Sequence, residues 1–143
     1  RIAYAYDGCA VGDAWRVFDP TAPAYANDLQ SVRPGQGLWI DMKEGALLPV
    51  NGAAYATTNI PLCAGWNLAG YPARMAMPAS NAFASLTDCL EIAYTQVATG
   101  PAPGWRRYDP AAPAYANSLA SVEPGQALWL KVKHNCTWTV VNP

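Results

Sequence analysis

The sequence contains one passage of 28 residues twice, and this duplication constrains the fold more than any other feature. Residues 15–42 read WRVFDPTAPAYANDLQSVRPGQGLWIDM, and residues 105–132 read WRRYDPAAPAYANSLASVEPGQALWLKV. At an offset of 90, 18 of the 28 positions are identical and no gap is needed. A period this long is typical of a tandem structural unit. Duplicated units bind or space something more often than they repeat a catalytic cluster.

The match extends upstream, where RIAYAYD at residues 1–7 aligns with EIAYTQV at residues 91–97. We call residues 1–42 the first copy and residues 91–132 the second copy. The second copy is preceded by GWNLAGYP at residues 65–72, which has no counterpart before the first. We therefore expect a partial first unit at 1–61 and a complete second unit at 62–143, either as part of a longer array or as one fused pseudo-two-fold domain sharing GWNLAGYP.

Composition restricts the class of protein. Apolar residues make up 52% of the 143 residues, which is enough for a core, whereas charged residues make up 13%, about half the usual share. The net charge is −1 and no basic cluster is present, so we expect no nucleic-acid partner, since such partners require neutralisation of phosphates. No apolar run is long enough to span a bilayer, so we expect no membrane insertion.

The four cysteines are isolated from one another: Cys9, Cys63, Cys89 and Cys136. None has C-x-x-C spacing and His134 is the only histidine, so a zinc site is not expected. In a low-charge, tryptophan-rich chain they predict two disulfides in an oxidising compartment, and hence a secreted or cell-surface protein. Three connectivities are open, and four buried free thiols are the alternative.

Alternating residues predict strands. Leu128, Leu130 and Val132 share one face of a strand at 126–133, with Trp129 on the other, and residues 38–43 repeat the pattern. Pro-Gly at 34–35 and 124–125 predicts type II turns before these strands. Residues 2–6, 92–96, 105–108 and 136–140 also have strand patterns, and 80–87 has a helical one.

These patterns predict a mainly β fold, or β-rich α+β, in which two pseudo-symmetric units of short antiparallel strands carry one or two short helices each. One such helical turn is predicted after Asn27 and another after Asn117, with each asparagine as the cap.

Residues for catalysis are sparse. No nucleophile motif or phosphate-binding loop is present, and Asp19 and Asp109 are the only acids at matching positions of both copies. Both precede proline, where aspartate commonly accepts hydrogen bonds within a turn. Asp7 and Asp13 are not repeated, which argues against a duplicated metal site. We therefore expect a protein that is not an enzyme and uses no cofactor or metal.

Aromatic residues are what both copies retain. Trp39 and Trp129 occupy the polar faces of their strands, and the proline-rich loops present Tyr25 and Tyr115. A flat ring stacks on the apolar face of a pyranose while a nearby amide bonds to its hydroxyls, and rigid rings lose little entropy on binding. The candidate ligand-binding residues are Tyr25, Asn27, Trp39, Trp15, Tyr115, Asn117, Trp129 and Trp105.

The alternative is structural. The tyrosines would then pack over a sheet edge, the asparagines would cap helical turns, and the proline-rich loops would cover the tryptophans. Trp66 and Trp138 fall on apolar strand faces and are expected in the core.

The recurring order of Trp, an aromatic-Asp-Pro triplet, Asn and Pro-Gly, with GWNLAGYP upstream, resembles repeats appended to large secreted or surface proteins of bacteria and archaea. The resemblance covers nearly the whole chain. It implies an extracellular, non-catalytic accessory module, and it transfers no ligand.

Two functions follow as hypotheses. The first is a carbohydrate-binding module whose two related aromatic sites gain avidity on one polysaccharide or glycan. The alternative is a structural or adhesion spacer that contacts neighbouring domains or a protein partner. Solvent-facing rings of Tyr25 and Tyr115 would favour the first, and rings buried on a sheet would favour the second. Self-association through an unpaired first strand is also expected, because bare sheet edges invite pairing.

Overall fold

A computed structural model of the chain describes residues 2–46, 48–49, 55–98 and 101–142. The predicted mainly β fold is confirmed, with 41% strand and 10% helix. The first strands are β1 (Ile2–Tyr6), β2 (Trp15–Phe18), β3 (Leu38–Asp41), β4 (Thr57–Leu62), β5 (Gly65–Gly70) and β6 (Met77–Pro78). The later ones are β7 (Leu90–Val97), β8 (Gly104–Tyr108), β9 (Ser121–Val122), β10 (Ala127–Val132) and β11 (Cys136–Val141). One α-helix, α1 (Ala79–Ala82), and short 3-10 turns at Ala24–Ala26, Ala84–Leu86 and Ala114–Ala116 accompany them.

Antiparallel pairing joins the strands into sheets ordered β2-β1-β3, β5-β10-β7-β8, β11-β4 and β6-β9. The register of the first copy recurs in the second. Tyr4 pairs with Val17 and Trp39, and the residues 90 positions later pair in the same way. Because β1 lies between β2 and β3, the expectation of an unpaired first strand is wrong.

Strand β5, which carries the GWNLAG part of the upstream element, is hydrogen-bonded along both edges. One edge pairs with β10 through six residue pairs. On the other edge, the Gly37 N–H donates to the Leu68 carbonyl at 3.3 Å, and the Gly70 N–H donates to the Gly35 carbonyl at 2.8 Å. A single strand therefore contacts both copies.

The Pro-Gly turns have the predicted geometry. Gly35 and Gly125 both have φ of 79°, which suits the second central position of a type II turn. The Gln36 N–H donates to the Arg33 carbonyl at 3.0 Å, and the equivalent bond in the second copy measures 3.1 Å. The type II turn prediction is confirmed in both copies.

The core lies between β10 and the α1 region. Trp138 is fully buried, and its Nε1–H donates to the Ala82 carbonyl at 2.7 Å, so the prediction of a core position is confirmed. Trp66 is 39% exposed, so the same prediction for it is wrong. Directly paired residues share a sheet face, and Trp66 pairs with Lys131, which lies on the face of β10 opposite the core.

The first copy buries only part of the same side of its sheet, where Ala5 is 1% exposed. Ile40 is 41% exposed and Met42 is 45% exposed, so the prediction of a half-buried strand there is wrong for this face. In the second copy, Leu130 and Val132 occupy these positions and are buried at 0% and 2%.

The helical predictions were partly correct. Residues 80–87 form α1 and the following 3-10 turn, close to the predicted helix. The predicted turns after Asn27 and Asn117 are wrong, because the 3-10 turns precede both asparagines. The segment after Asn27 is held extended instead, because the Leu29 N–H donates to the Val17 carbonyl at 3.0 Å and the Asp28 carboxylate accepts the Val17 N–H at 2.6 Å.

The four cysteines form two disulfides, Cys9–Cys63 and Cys89–Cys136, with Cα–Cα distances of 5.2 and 6.6 Å. The disulfide prediction is confirmed, and the alternative of free thiols is wrong. The first bond ties the first copy to the start of β5, and the second ties the start of β7 to the start of β11. Within the described ranges, no helix has the length and apolarity needed to cross a membrane.

Candidate functional site

One face of the molecule carries eight aromatic rings, which we call the aromatic groove. Its members are Tyr4, Tyr6, Trp15, Trp39, Trp66, Tyr94, Trp105 and Trp129. They come from β1, β2, β3, β5, β7, β8 and β10. Tyr4 pairs directly with Trp39, and Tyr94 pairs with Trp129, so each pair of rings projects from the same side of its sheet. The alternation of the strands therefore places these rings on one side.

Tryptophans of the two copies meet in reciprocal pairs. Trp39 stacks on Trp105 with ring centroids 5.9 Å apart and planes 16° apart. Trp15 meets Trp129 edge-on at the same centroid distance, with planes 65° apart. Each contact joins the position-15 tryptophan of one copy to the position-39 tryptophan of the other, as in a two-fold interface. Aromatic pairs of this kind contribute about 0.5–1.5 kcal/mol beyond the area they bury.

Further contacts join six of the eight rings into one network, beside the stacked tryptophan pair. Tyr6 lies 5.1 Å from Trp15 and 5.2 Å from Trp129. Trp66 continues the series, 6.4 Å from Trp129 and 6.1 Å from Tyr94. The rings therefore hold one another in fixed orientations, which lowers the entropy cost of presenting them to a ligand.

Two cavities open along the groove. The larger, of about 610 Å³, is lined by Tyr4, Asp13, Trp15, Val17, Asp28, Trp39, Trp105 and Trp129. The second, of about 530 Å³, is lined by Tyr6, Trp66, Tyr94, Trp105 and Trp129. Trp105 and Trp129 line both cavities, so the two adjoin. Each volume falls in the range usual for small-ligand sites.

The tryptophans are partly packed and partly open. The exposed fractions are 44% for Trp15, 38% for Trp39, 39% for Trp66 and 50% for Trp105. One part of each ring therefore makes the contacts described above, while the rest remains available to stack on a bound molecule.

Two carboxylates line the larger cavity. Asp28 accepts the Val17 N–H and lies 3.5 Å from the Arg16 guanidinium. Asp13 accepts the Trp15 N–H at 3.0 Å. A carboxylate has about four lone-pair sites, so both retain acceptor capacity for hydroxyl donors. In the part of the chain that the structure describes, no group of three His, Cys, Asp or Glu side chains could hold a metal ion.

The predicted site residues divide into two places. The structure brings Trp15, Trp39, Trp105 and Trp129 together in the groove, whereas the tyrosines of the proline-rich loops line neither aromatic cavity. Tyr25 and Tyr115 are each 91% exposed. The sequence predicted that tryptophans and a loop tyrosine share a site in each copy, whereas in the structure the tryptophans of both copies lie together and the tyrosines lie outside both cavities.

The side-chain amides of the two loop asparagines are hydrogen-bonded to backbone groups of their own loops. Oδ1 of Asn27 accepts the Asp19 N–H at 2.6 Å, and its Nδ2 donates to the Asp19 carbonyl at 3.0 Å. Asn117 and Asp109 repeat this pair of bonds at 2.8 and 3.1 Å. We therefore assign both amides to closing the loop and not to ligand contact.

The loop aspartates act within their turns, as predicted. The Thr21 hydroxyl donates to the Asp19 carboxylate at 2.7 Å and its N–H donates at 2.8 Å, which lowers the pKa of that carboxyl. Asp109 accepts the Ala111 N–H at 2.9 Å. Each loop is therefore held in shape by an aspartate and an asparagine, leaving its tyrosine at the surface.

Sequence reasoning missed four of the rings in the groove: Tyr4, Tyr6, Trp66 and Tyr94. Tyr4 and Tyr94 could have been found, since both occupy the Ile-Ala-Tyr positions shared by the copies. Comparison of the chain with protein-family models, curated proteins and solved structures gave no match. The groove and the loops are therefore the features from which a function is inferred.

Proposed function

We propose that the protein is a non-catalytic extracellular module that binds a glycan in the aromatic groove. The observation that carries this proposal is the set of eight rings that line two adjoining cavities, in which four tryptophans are 38–50% exposed. Exposed apolar surface of this kind commonly marks a binding site. The two disulfides support an oxidising, extracellular location.

The proposed site is single and crosses both copies. The sequence predicted two separate platforms, one in each copy. In the fold, the cavities share Trp105 and Trp129, and the stack of Trp39 on Trp105 joins residues of different copies. One extended groove suits consecutive residues of a sugar chain better than two independent monosaccharide sites.

The chemistry of the lining favours a sugar. The rings offer flat apolar surface for the C–H faces of pyranoses, and Asp13 and Asp28 offer acceptors to hydroxyl groups at one end. Pockets with mainly aromatic walls and a few fixed polar groups are typical of ligand sites whose polar groups set orientation.

The test is binding to a panel of insoluble polysaccharides, followed by titration of tryptophan fluorescence with soluble fragments of any polymer that binds. Trp39→Ala and Trp105→Ala should each weaken binding at least tenfold, which is about 1.4 kcal/mol. The loop variant Tyr25→Ala/Tyr115→Ala is the matched control and should bind as wild type does. Melting curves of all variants separate loss of the site from loss of the fold.

Two outcomes contradict the proposal. If wild type binds no polysaccharide, the groove is not a glycan site. If the loop variant loses binding while the folded groove variants keep it, the site lies on the loops.

A second candidate function is a structural or adhesion spacer that contacts a neighbouring domain or a protein partner. The rings of Tyr25 and Tyr115 are each 91% exposed, which by the criterion of the sequence analysis favours a glycan over packing on a sheet. They line neither aromatic cavity, and rigid loops that present an open aromatic ring are also effective anchors at protein interfaces, so this separate surface is the observation that favours a protein contact. The loop variant tests this directly. It should lose the partner and keep the polysaccharide if both functions exist.

A further inference from the structure

The larger cavity of the aromatic groove carries charge, and the second cavity does not. Asp13 and Asp28 line the larger cavity, whereas the second is lined by aromatic residues alone. Among the described residues, no lysine, arginine or histidine lines either cavity. The charged groups on the wall of the larger cavity are therefore two carboxylates, set among one tyrosine and four tryptophans.

The arginine of the adjoining strand offsets this charge only in part. Arg16 lies between Trp15 and Val17 in β2, and successive side chains of a strand point to opposite faces, so it projects away from the cavity that its neighbours line. Its guanidinium lies 3.5 Å from the Asp28 carboxylate, which is half exposed. The ion pairs of the described residues do not include Asp13. The cavity therefore keeps a negative charge.

This charge breaks the symmetry of the two copies. The positions that match Asp13 and Asp28 hold proline and serine in the second copy, and the position that matches Val17 holds Arg107. Arg107 pairs with Tyr94, so it lies on the groove side of its sheet. The groove therefore has a negative end at the first copy and a positive side chain beyond Tyr94 at the second.

Aromatic rings and carboxylates attract the same kind of ligand group. The face of an aromatic ring is negative, and it attracts a cation that lies within about 6 Å of the ring centroid. An ammonium group also has three N–H donors, which carboxylate oxygens accept. A carboxylate or sulfate on the ligand would instead be repelled by Asp13 and Asp28. The lining of the larger cavity therefore suits a cation better than an anion.

We propose that the larger cavity is a subsite for a positively charged group of the glycan, namely the ammonium group of an amino sugar. This inference rests on the proposed function, and it names the class of glycan as one that contains sugars with free amines. The Arg107 side chain disfavours an ammonium group at the other end of the groove, so the amino sugar is placed at the first copy.

The test compares three hexasaccharides with the same β-linked glucose backbone. They differ only in whether the carbon next to the anomeric centre carries a free amine, an acetylated amine or a hydroxyl group. Binding is followed by tryptophan fluorescence, in a buffer acidic enough to protonate the amines. An ionic strength of about 0.15 M largely screens charges more than about 8 Å away. The free-amine hexasaccharide should bind about fivefold more tightly than the other two.

A charge variant and a matched control locate the effect. Asp13→Asn/Asp28→Asn keeps an oxygen acceptor for each of the two backbone N–H groups that these carboxylates now bind, so the fold should persist. This variant should bind all three hexasaccharides equally. Glu44→Gln/Asp88→Asn removes the same number of negative charges from exposed side chains that line neither cavity. The control should keep the preference for the free amine.

Tetramethylammonium ion tests the cavity without a sugar. It has the positive charge of the ammonium group and no N–H donors, so it reports on attraction by the rings and the carboxylates alone. We expect it to change the tryptophan fluorescence of wild type and of the Glu44→Gln/Asp88→Asn control. The Asp13→Asn/Asp28→Asn variant should need a higher concentration for the same change.

The outcomes separate this inference from the proposed function. If the three hexasaccharides bind wild type equally, and Trp39→Ala weakens them all, the groove binds glycans and the cation subsite is wrong. The subsite is also wrong if the Asp13→Asn/Asp28→Asn variant keeps the preference or the control loses it. If no saccharide binds, the proposed function fails. A response to tetramethylammonium that depends on both aspartates would then still support the cation site, and no response would overturn it.

Discussion

Gly35 and Gly125 provide a matched test of how closely the first copy packs on the rest of the molecule. Both have φ of 79°, so alanine at either position adopts a left-handed conformation that costs about 1–2 kcal/mol. Their surroundings differ. A Cβ at position 35 would meet Cγ1 of Ile60 at 2.5 Å and Cδ1 at 2.7 Å, whereas a Cβ at position 125 would meet nothing within 4 Å.

The difference between the two variants measures the clash. Ile60 is 8% exposed and β-branched, so it moves aside only at a cost, and overpacking of this kind costs about 1–3 kcal/mol. We expect Gly125→Ala to lower the free energy of unfolding by about 1–2 kcal/mol and Gly35→Ala by about 2–5 kcal/mol. Denaturant titration followed by circular dichroism measures both.

A double-mutant cycle locates the cause. Ile60→Ala removes both close atoms and leaves Cβ of residue 60 at 3.7 Å, an ordinary contact. The excess cost of Gly35→Ala should therefore disappear in the Ile60→Ala background. Equal losses for Gly35→Ala and Gly125→Ala, or no coupling between residues 35 and 60, would refute the close approach of this turn to β4.

Three other predictions concern the disulfides and the loops. Cys89→Ser/Cys136→Ser removes a disulfide between residues 47 positions apart and should lower the free energy of unfolding by about 2–4 kcal/mol. Strong reductant should likewise lower the melting temperature of wild type. Asn117→Ala removes two hydrogen bonds to Asp109 and should cost about 1–3 kcal/mol in thermal unfolding, whereas Asn117→Asp, which keeps an acceptor, should cost less. Thr21→Val should raise the pKa of Asp19 towards its ordinary value of 3.8, as followed by carbon NMR. Because folding lowers this pKa, the stabilisation from Asp19 is present above pH 3.8 and is lost as the pH falls through the folded-state pKa. If Asp19 titrates in the Thr21→Val variant as it does in wild type, the Thr21 hydroxyl does not have this role.

The sequence predicted features that depend on neighbouring residues. Alternation over residues 126–133 located β10 and placed Trp129 opposite its buried leucines. Pro-Gly at 34–35 and 124–125 predicted the turns, because proline and glycine restrict φ locally. These predictions depended only on side-chain period and backbone preference.

Contacts between distant parts of the chain were not predictable in the same way. Apolar residues lie on both faces of β5, with Trp66 and Leu68 on one and Ala69 on the other, so alternation does not show which face is buried. The pairing of Trp66 with Lys131 places it on the face opposite the core. The stack of Trp39 on Trp105 joins residues 66 positions apart, so two predicted platforms became one groove. Likewise, the disulfide partners became clear only when the fold placed Cys9 beside Cys63.

The asparagines show how one local signal supports two structures. An asparagine before a short apolar stretch is typical of a helix cap, and it equally suits a loop closed by its own side chain. The hydrogen bonds of Asp28 and Leu29 to Val17 hold the following segment extended, and this tertiary contact selects the second structure.

The placement of β5 affects how the chain can be divided. A fragment beginning at Ala56 would keep every strand of the four-stranded sheet, yet Gly70 would lose its acceptor, Gly35, and Leu68 would lose its donor, Gly37. This fragment would expose the edge of β5 that the first copy now covers. Chains could associate through that edge, because unpaired strand edges invite pairing. Recombinant expression of the fragment that begins at Ala56 should therefore give protein that aggregates. Binding and stability measurements should use the chain with both copies present.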